Sequence, residues 1–222
     1  MLRNIFKNKE MIIIKLLICL FSIMLIPIES IAFADIFTEK IENQLFESIS
    51  VNEGLSNEHV TTIFQDSKGY MWIGTNDWLN RFDGVNFKVF NCKSGSEASL
   101  SSGKINAITE DCCGNIWVGT NNGLDIILNN IDEIINIKKI KKSYNIARMP
   151  ITVLLKSTIE KNVMWVGTEN GLYKINVQEH TIESFFEGYN GTDNENTLTS
   201  SKITALKEVE DKLIVGTERG MN

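Results

Sequence analysis

This chain of 222 residues contains few of the residue types that most catalytic and metal sites require. It has two histidines, His59 and His180, and neither has a Cys, His or carboxylate neighbour at a metal-ligand spacing. The sequence also lacks a Gly-x-Ser-x-Gly motif, a phosphate-binding loop and a dinucleotide fingerprint. We therefore predict no enzymatic activity, no metal site and no cofactor for this chain.

Cysteine is scarce as well, and only Cys92, Cys112 and Cys113 follow the N-terminal leader described below. In the repeat described below, Cys92 falls at one end of a strand and the other two fall in a turn at the opposite end. A strand of about seven residues separates such ends by roughly 20 Å, far beyond the reach of a disulfide, about 7 Å between Cα atoms. The sequence predicts no disulfide framework, although export would expose the chain to oxidising conditions.

Positive charge is also limited, since the net charge is −6 and no basic stripe is present. This balance argues against nucleic acid as a partner. Neutral or cationic small molecules remain candidate ligands.

The chain is rich instead in one repeated element, a short apolar strand that ends in Gly-Thr. Three copies carry Trp two residues before the glycine, and Ile214 stands there in the fourth. The residues of this element are Trp72, Gly74, Trp117, Gly119, Trp165, Gly167 and Gly216. The glycines recur every 45 to 49 residues, the period of a four-stranded blade in a β-propeller.

The first repeat shows how such a blade forms. Asp66 accepts hydrogen bonds from turn amides and Gly69 supplies a positive φ, which together favour a hairpin. The predicted strands are Val60–Asp66, Tyr70–Gly74, Leu79–Phe82 and Phe87–Phe90, the last two joined around Asp83-Gly84. Asp111 occupies the same turn in the second repeat, so we interpret both carboxylates as turn residues and not as the acid pair of a glycosidase.

A single meander cannot bury both of its faces, so blades must stack on one another. We predict that Trp72, Trp117 and Trp165 are wedged between successive blades and that Gly-Thr permits close backbone approach. The fold class is all-β, an incomplete propeller of about three and a half four-stranded antiparallel blades with starts near residues 54, 99, 151 and 198.

Residues 1–34 read as a secretory signal peptide, and residues 35–44 as a linker to the propeller at residues 45–222. Basic residues precede the apolar stretch 16–26, and Ala32-Phe33-Ala34 is a small-x-small cleavage motif. The alternative is an uncleaved membrane anchor, but Lys15, Pro27 and Glu29 make residues 11–34 a poor spanning helix. Either reading predicts an exported, extracytoplasmic protein.

The segment from Gly54 through Trp72 to Gly84 resembles the repeat of two-component regulator propellers. The resemblance extends over about residues 45–222, is longest in the first repeat and is weakest in the fourth. Trp78 departs from it, since a glycine is usual there, and residues 151–163 lack the Asp-x-x-Gly turn. The resemblance implies an extracytoplasmic ligand-sensing region of a membrane receptor with a histidine kinase or diguanylate cyclase output, and some relatives sense polysaccharide breakdown products. It also allows a homodimer formed through the full-length receptor.

Residue 222 falls after the second strand of the fourth repeat, and Leu45–Ile49 aligns with the last strand of a blade. We therefore expect Leu45–Ile49 to complete the final blade of a closed ring. Three and a half blades do not close a seven-bladed ring and leave sheet edges exposed, so we expect the chain to be a fragment or a truncated product.

In a propeller, the turns between the second and third strands of all blades lie on one rim. Amide and carboxylate groups beside an exposed aromatic side chain suit a polar small molecule such as an oligosaccharide. The candidate ligand-binding residues are Asn76, Asp77, Trp78, Asn121, Asn122, Glu169, Asn170 and Arg219, with Glu218 beside them. Asn and Asp also favour turns for purely local reasons.

Two other functional classes remain open on the sequence. One is a free-standing secreted binding or scaffold module, and the other is a propeller lyase or glycosidase. Sialidase-type propellers carry an Asp two residues before the turn glycine, whereas Asp66 and Asp111 lie three residues before it. The sequence after residue 222 would separate these classes from a sensor.

Overall fold

The computed structural model describes residues 48–92, 99–137, 145–186 and 197–222. All the strands belong to the unit Ile49–Asn222. The predicted leader and linker, together with residues 45–47 of the expected closing strand, lie outside the described residues, and Ser48 and Ile49 lie in no strand. Among the described residues, no helix is both long enough and apolar enough to cross a membrane.

Fifteen strands and two short 3-10 helices, Val51–Glu53 and Asn145–Arg148, make up the described structure. Blade 1 contains β1 (Val60–Gln65), β2 (Met71–Thr75), β3 (Leu79–Phe82) and β4 (Phe87–Phe90). Blade 2 contains β5 (Ile105–Glu110), β6 (Ile116–Thr120), β7 (Gly123–Ile127) and β8 (Ile134–Asn136). Blade 3 contains β9 (Ile151–Lys156), β10 (Val163–Thr168), β11 (Gly171–Asn176) and β12 (Thr181–Phe185). Blade 4 contains β13 (Ile203–Val209), β14 (Lys212–Thr217) and β15 (Gly220–Met221).

Each blade is a separate antiparallel sheet whose strands pair in chain order. We call the strands of a blade A to D in that order. Three sheets have four strands and the fourth has three, which confirms the predicted all-β propeller architecture. Three predicted strand limits shift by one residue: Asp66 and Tyr70 lie in the A–B turn, outside β1 and β2, and β2 extends to Thr75. The Asp66 carboxylate accepts the amide hydrogens of Lys68 and Tyr70 and thereby holds both residues in the turn.

The three tryptophans of the repeat lie between successive blades. Trp72 shares an apolar cluster with Ile105 and Val118 of blade 2. Trp117 packs with Ile151 and Val166 of blade 3. In the same way, Trp165 lies in a cluster with residues of blade 4. Each indole is at least 92% buried, since the exposed fractions are 2%, 2% and 8%.

The repeated glycine allows strand A of the next blade to lie against strand B. A Cβ added at Gly119 would lie 2.6 Å from Ile151 Cγ2. The same addition at Gly74 or Gly167 would bring Cβ to 2.7 or 2.8 Å from the equivalent isoleucine of the next blade. Real Cβ atoms do not approach other atoms so closely, so glycine is required at these positions because of packing between blades.

The A–B turns are held by carboxylates from two sources. In blades 1 and 2, the Trp indole N–H donates to the Asp of its own turn, at 2.7 Å for Asp66 and 3.0 Å for Asp111. Blade 3 has Ser157 at that position, and the Trp165 indole donates instead to Glu208 of blade 4 at 3.2 Å. Glu208 also accepts hydrogen bonds from the amide and hydroxyl of Thr158, so the next blade supplies the carboxylate that blade 3 lacks.

Candidate ligand-binding rim

The B–C turns carry the predicted ligand-binding residues, and the threonine of the repeat closes each of these turns. Thr120 Oγ1 donates to the Gly123 carbonyl at 2.9 Å and accepts the Asn122 amide hydrogen at 3.1 Å. Thr75, Thr168 and Thr217 make the same pair of hydrogen bonds in their own blades. The threonine therefore fixes the turn geometry, a role that was not predicted from the sequence.

Each B–C turn also lies beside the loop that leads into strand A of its own blade. The Asn76 amide donates to the His59 carbonyl at 3.0 Å, and the Asn121 amide donates to the Lys104 carbonyl at 3.2 Å. Glu169 and Glu218 make the equivalent bonds in blades 3 and 4, to Pro150 and Lys202. The candidate residues thus occupy equivalent positions at one end of the four blades. We call this end the ligand rim, defined by residues 76–78, 121–122, 169–170 and 218–219.

Trp78 is the unusual residue of this rim. Its φ is 84°, whereas glycine occupies the equivalent position in the other three blades, with φ of 125°, 132° and 143°. A bulky side chain at positive φ is strained and costs on the order of 1–3 kcal/mol. Hydrogen bonds stabilise this strained conformation. The Trp78 amide donates to the Gly103 carbonyl at 2.7 Å, and the Trp78 carbonyl accepts from Thr75.

Gly103 lies against the Trp78 indole. A Cβ at Gly103 would lie 3.4 Å from Trp78 Cδ1 and 3.2 Å from an Asp77 carboxylate oxygen. Glu58 and Ser201 occupy the matching positions of the loops before β1 and β13. Glycine therefore occurs in the loop of blade 2, against which the Trp78 side chain packs. Gly103 was not among the residues predicted from the sequence. The signal that could have identified it is a glycine in the loop of blade 2 together with a tryptophan in place of the usual turn glycine of blade 1.

The indole is half-buried, and the other candidate side chains around it are exposed. Asn76, Asp77, Asn121, Asn122, Glu169, Asn170 and Arg219 are all exposed. The Trp78 amide is hydrogen-bonded to the loop that precedes β5 in blade 2. Asn122 Nδ2 donates to the Ser101 carbonyl in the same loop at 3.3 Å. Blades 1 and 2 therefore contribute to one continuous surface containing an aromatic face, amide groups and a carboxylate. Such a surface can stack on a ring and hydrogen-bond to hydroxyl groups.

The opposite end of the blades contains a different feature. A cavity of about 190 Å³ lies between blades 2 and 3, with walls that include Trp117, Ile126, Ile175 and Ile182.

Within the described ranges, no group of three or more His, Cys, Asp or Glu side chains is arranged to hold a metal ion.

Comparison with known proteins finds similarity in two of the four repeats. The profile of the two component regulator propeller family matches residues 54–77 and 99–122. Histidine kinase P4 of Formosa agariphila is 41% identical over 59 residues, which are 27% of this chain and 4% of that protein.

Solved structures show the same fold. The extracellular domain of a B. thetaiotaomicron protein described as a hybrid two component system superposes with a TM-score of 0.64 at 22% identity, covering 79% of this chain and 26% of that chain. The extracellular domain of a second B. thetaiotaomicron protein, described as a one component system, superposes with a TM-score of 0.60 at 22% identity, covering 80% and 21% of the two chains. This chain therefore spans only about a quarter or less of the length of these relatives.

Proposed function

Because this chain carries repeats of the two-component regulator propeller family, we propose that it is the extracytoplasmic, ligand-sensing propeller of a membrane signal-transduction receptor. The local identity to a histidine kinase and the likeness to extracellular domains support this role. The signalling output, a histidine kinase or a diguanylate cyclase, would lie in another part of the receptor. The propeller itself would bind and would not catalyse.

The proposed ligand is a neutral or cationic polar small molecule, with an oligosaccharide as the best fit, and it binds at the ligand rim of blades 1 and 2. The observation that carries this assignment is Trp78, a large aromatic side chain kept at a φ of 84° in a turn where three other blades have glycine. Glycine would close this turn without strain. A tryptophan that adds strain and exposes part of its indole fits a contact residue better than a packing residue.

The chemistry around Trp78 fits the same ligand class. Sugar rings combine an apolar face with hydroxyl groups, so a site for them needs an aromatic surface beside hydrogen-bonding groups. Asn76 and Asp77 supply an amide and a carboxylate next to the indole, and Asn121 and Asn122 supply amides on the adjacent blade. The net charge of −6 disfavours strongly anionic ligands.

A glycosidase function receives less support from the same structure. The Asp66 and Asp111 carboxylates are occupied by turn amides and by the Trp72 and Trp117 indoles. They also lie in A–B turns, at the opposite end of the blades from the ligand rim. A free-standing binding module would use the same rim and differs from a receptor only in the parts beyond this chain.

The test is a thermal-shift screen of the chain against a panel of neutral and anionic oligosaccharides, repeated with Trp78→Gly and Trp78→Phe. Trp78→Gly restores the residue of the other turns and relieves strain while it loses indole packing, so its own Tm should stay within a few degrees of wild type. We expect it to lose the ligand-induced shift, and we expect Trp78→Phe to retain part of it. A folded Trp78→Gly variant with an unchanged shift would remove Trp78 from the site.

A further inference from the structure

The A–B turn of blade 2 carries two neighbouring thiols at the end of the blades opposite the ligand rim. Cys112 and Cys113 occupy the two central positions of a turn that runs from Asp111 to Gly114, closed by the Gly114 amide donating to the Asp111 carbonyl at 3.3 Å. Both side chains are exposed. Their sulfur atoms lie 3.7 Å apart, so the turn presents the two thiols side by side.

The equivalent turns in the other blades show that this arrangement is not a structural requirement of the repeat. In blade 1, Ser67 donates its amide and hydroxyl hydrogens to Glu110 of blade 2, at 2.9 and 2.6 Å. Glu208 holds the turn of blade 3 in the same way. For the turn of blade 2, the residue of the next blade that is equivalent to Glu110 and Glu208 is Lys156. Its ammonium group donates to the Asp111 carbonyl at 3.3 Å. The turn of blade 2 therefore receives a lysine ammonium group from the next blade, whereas the turns of blades 1 and 3 receive a carboxylate.

We propose that Cys112 and Cys113 chelate a soft divalent metal ion of the zinc or cadmium type. Zinc–thiolate bonds are about 2.3 Å long, and an ion at that distance from two sulfurs 3.7 Å apart subtends an angle of about 107°. This angle matches the tetrahedral coordination that zinc adopts with thiolates. Thiolates also select soft ions over hard ones. The two remaining positions would be filled by solvent, with the Asn162 carboxamide oxygen, 3.0 Å from Cys112 Sγ, beside them.

A bound divalent cation would also change the electrostatics of the thiol pair. Two thiolates at this distance repel each other, and an ion between them replaces repulsion with attraction. Binding should therefore release two protons and weaken as the pH falls.

The experiment is a titration of the reduced, full chain with Cd²⁺, followed by the ultraviolet charge-transfer absorption of cadmium thiolates. We expect one ion per chain, and we expect Cys112→Ser and Cys113→Ser each to weaken binding by roughly tenfold or more. Ser67 and Lys68 occupy the matching positions in blade 1, so polar residues are compatible with this turn. Cys92→Ser is the control, since Cys92 is also an exposed free thiol, and it should leave binding unchanged. Binding that survives either single substitution in the turn, or that is lost with Cys92→Ser, would overturn the proposal.

Discussion

Replacing Gly119 by alanine should destabilise the propeller although it adds a single methyl group. The new Cβ would lie 2.6 Å from Cγ2 and 2.9 Å from Cβ of Ile151, which belongs to strand A of the next blade. Because Cβ atoms are fixed to the backbone, relief requires that the two blades move apart. Overpacking of this kind costs about 1–3 kcal/mol, and each 1 kcal/mol lowers the Tm of a protein of this size by about 2–4 °C.

Gly216→Ala is the matched control for Gly119→Ala. Gly216 occupies the same position of the repeat, but its nearest neighbours are at 3.3 Å or more and belong to its own blade. The substitution should change stability by less than about 1 kcal/mol, because reduced freedom of the unfolded chain offsets the closer contact. Thermal unfolding followed by circular dichroism compares the two variants. Equal effects of the two substitutions would refute the role of the glycine as a spacer between blades.

Two further predictions concern the carboxylates that hold the A–B turns. Asp66→Ala removes the acceptor of the Trp72 indole and of two turn amides. It should therefore lower the free energy of unfolding by about 2–3 kcal/mol in urea titrations. A loss below about 0.5 kcal/mol would contradict this role. Burial would raise the pKa of Glu208, but hydrogen bonds from Ser157, Thr158 and Ile159 hold it below its ordinary value of 4.5. The stabilisation by Glu208 is therefore complete above pH 4.5 and is lost as the pH falls through the lower folded pKa. The difference in free energy of unfolding between wild type and Glu208→Gln should therefore shrink on acidification below pH 4.5. A difference that stays constant down to about pH 3 would contradict stabilisation by the ionised Glu208 carboxylate.

Local patterns were sufficient to predict the blades. The Asp83-Gly84 turn predicted a hairpin of β3 and β4 with the limits that the structure has. The Asp66 turn was also recognised from sequence, because both its carboxylate and the glycine three residues later act within a few residues.

Contacts between blades were not predictable in the same way. Asp132 of blade 2 forms ion pairs of 2.8 and 2.6 Å with Arg81 and Lys88 of blade 1, and Glu208 reaches Trp165 across 43 residues of sequence. Such pairs depend on how one sheet stacks on the next, which no local pattern determines. Trp78 stood out as a departure from the repeat, but its partner Gly103 became visible only when the loop of the adjacent blade was in place.

The most direct test of the proposed function is amide hydrogen exchange of the chain with and without the oligosaccharide that gives the largest thermal shift. Ligand should slow exchange at residues 76–78 and 121–122, where blades 1 and 2 form the ligand rim. The A–B turns at residues 66–69 and 111–114 should exchange at unchanged rates. Protection of the A–B turns without protection around Trp78 would contradict the assignment of the rim as the ligand site.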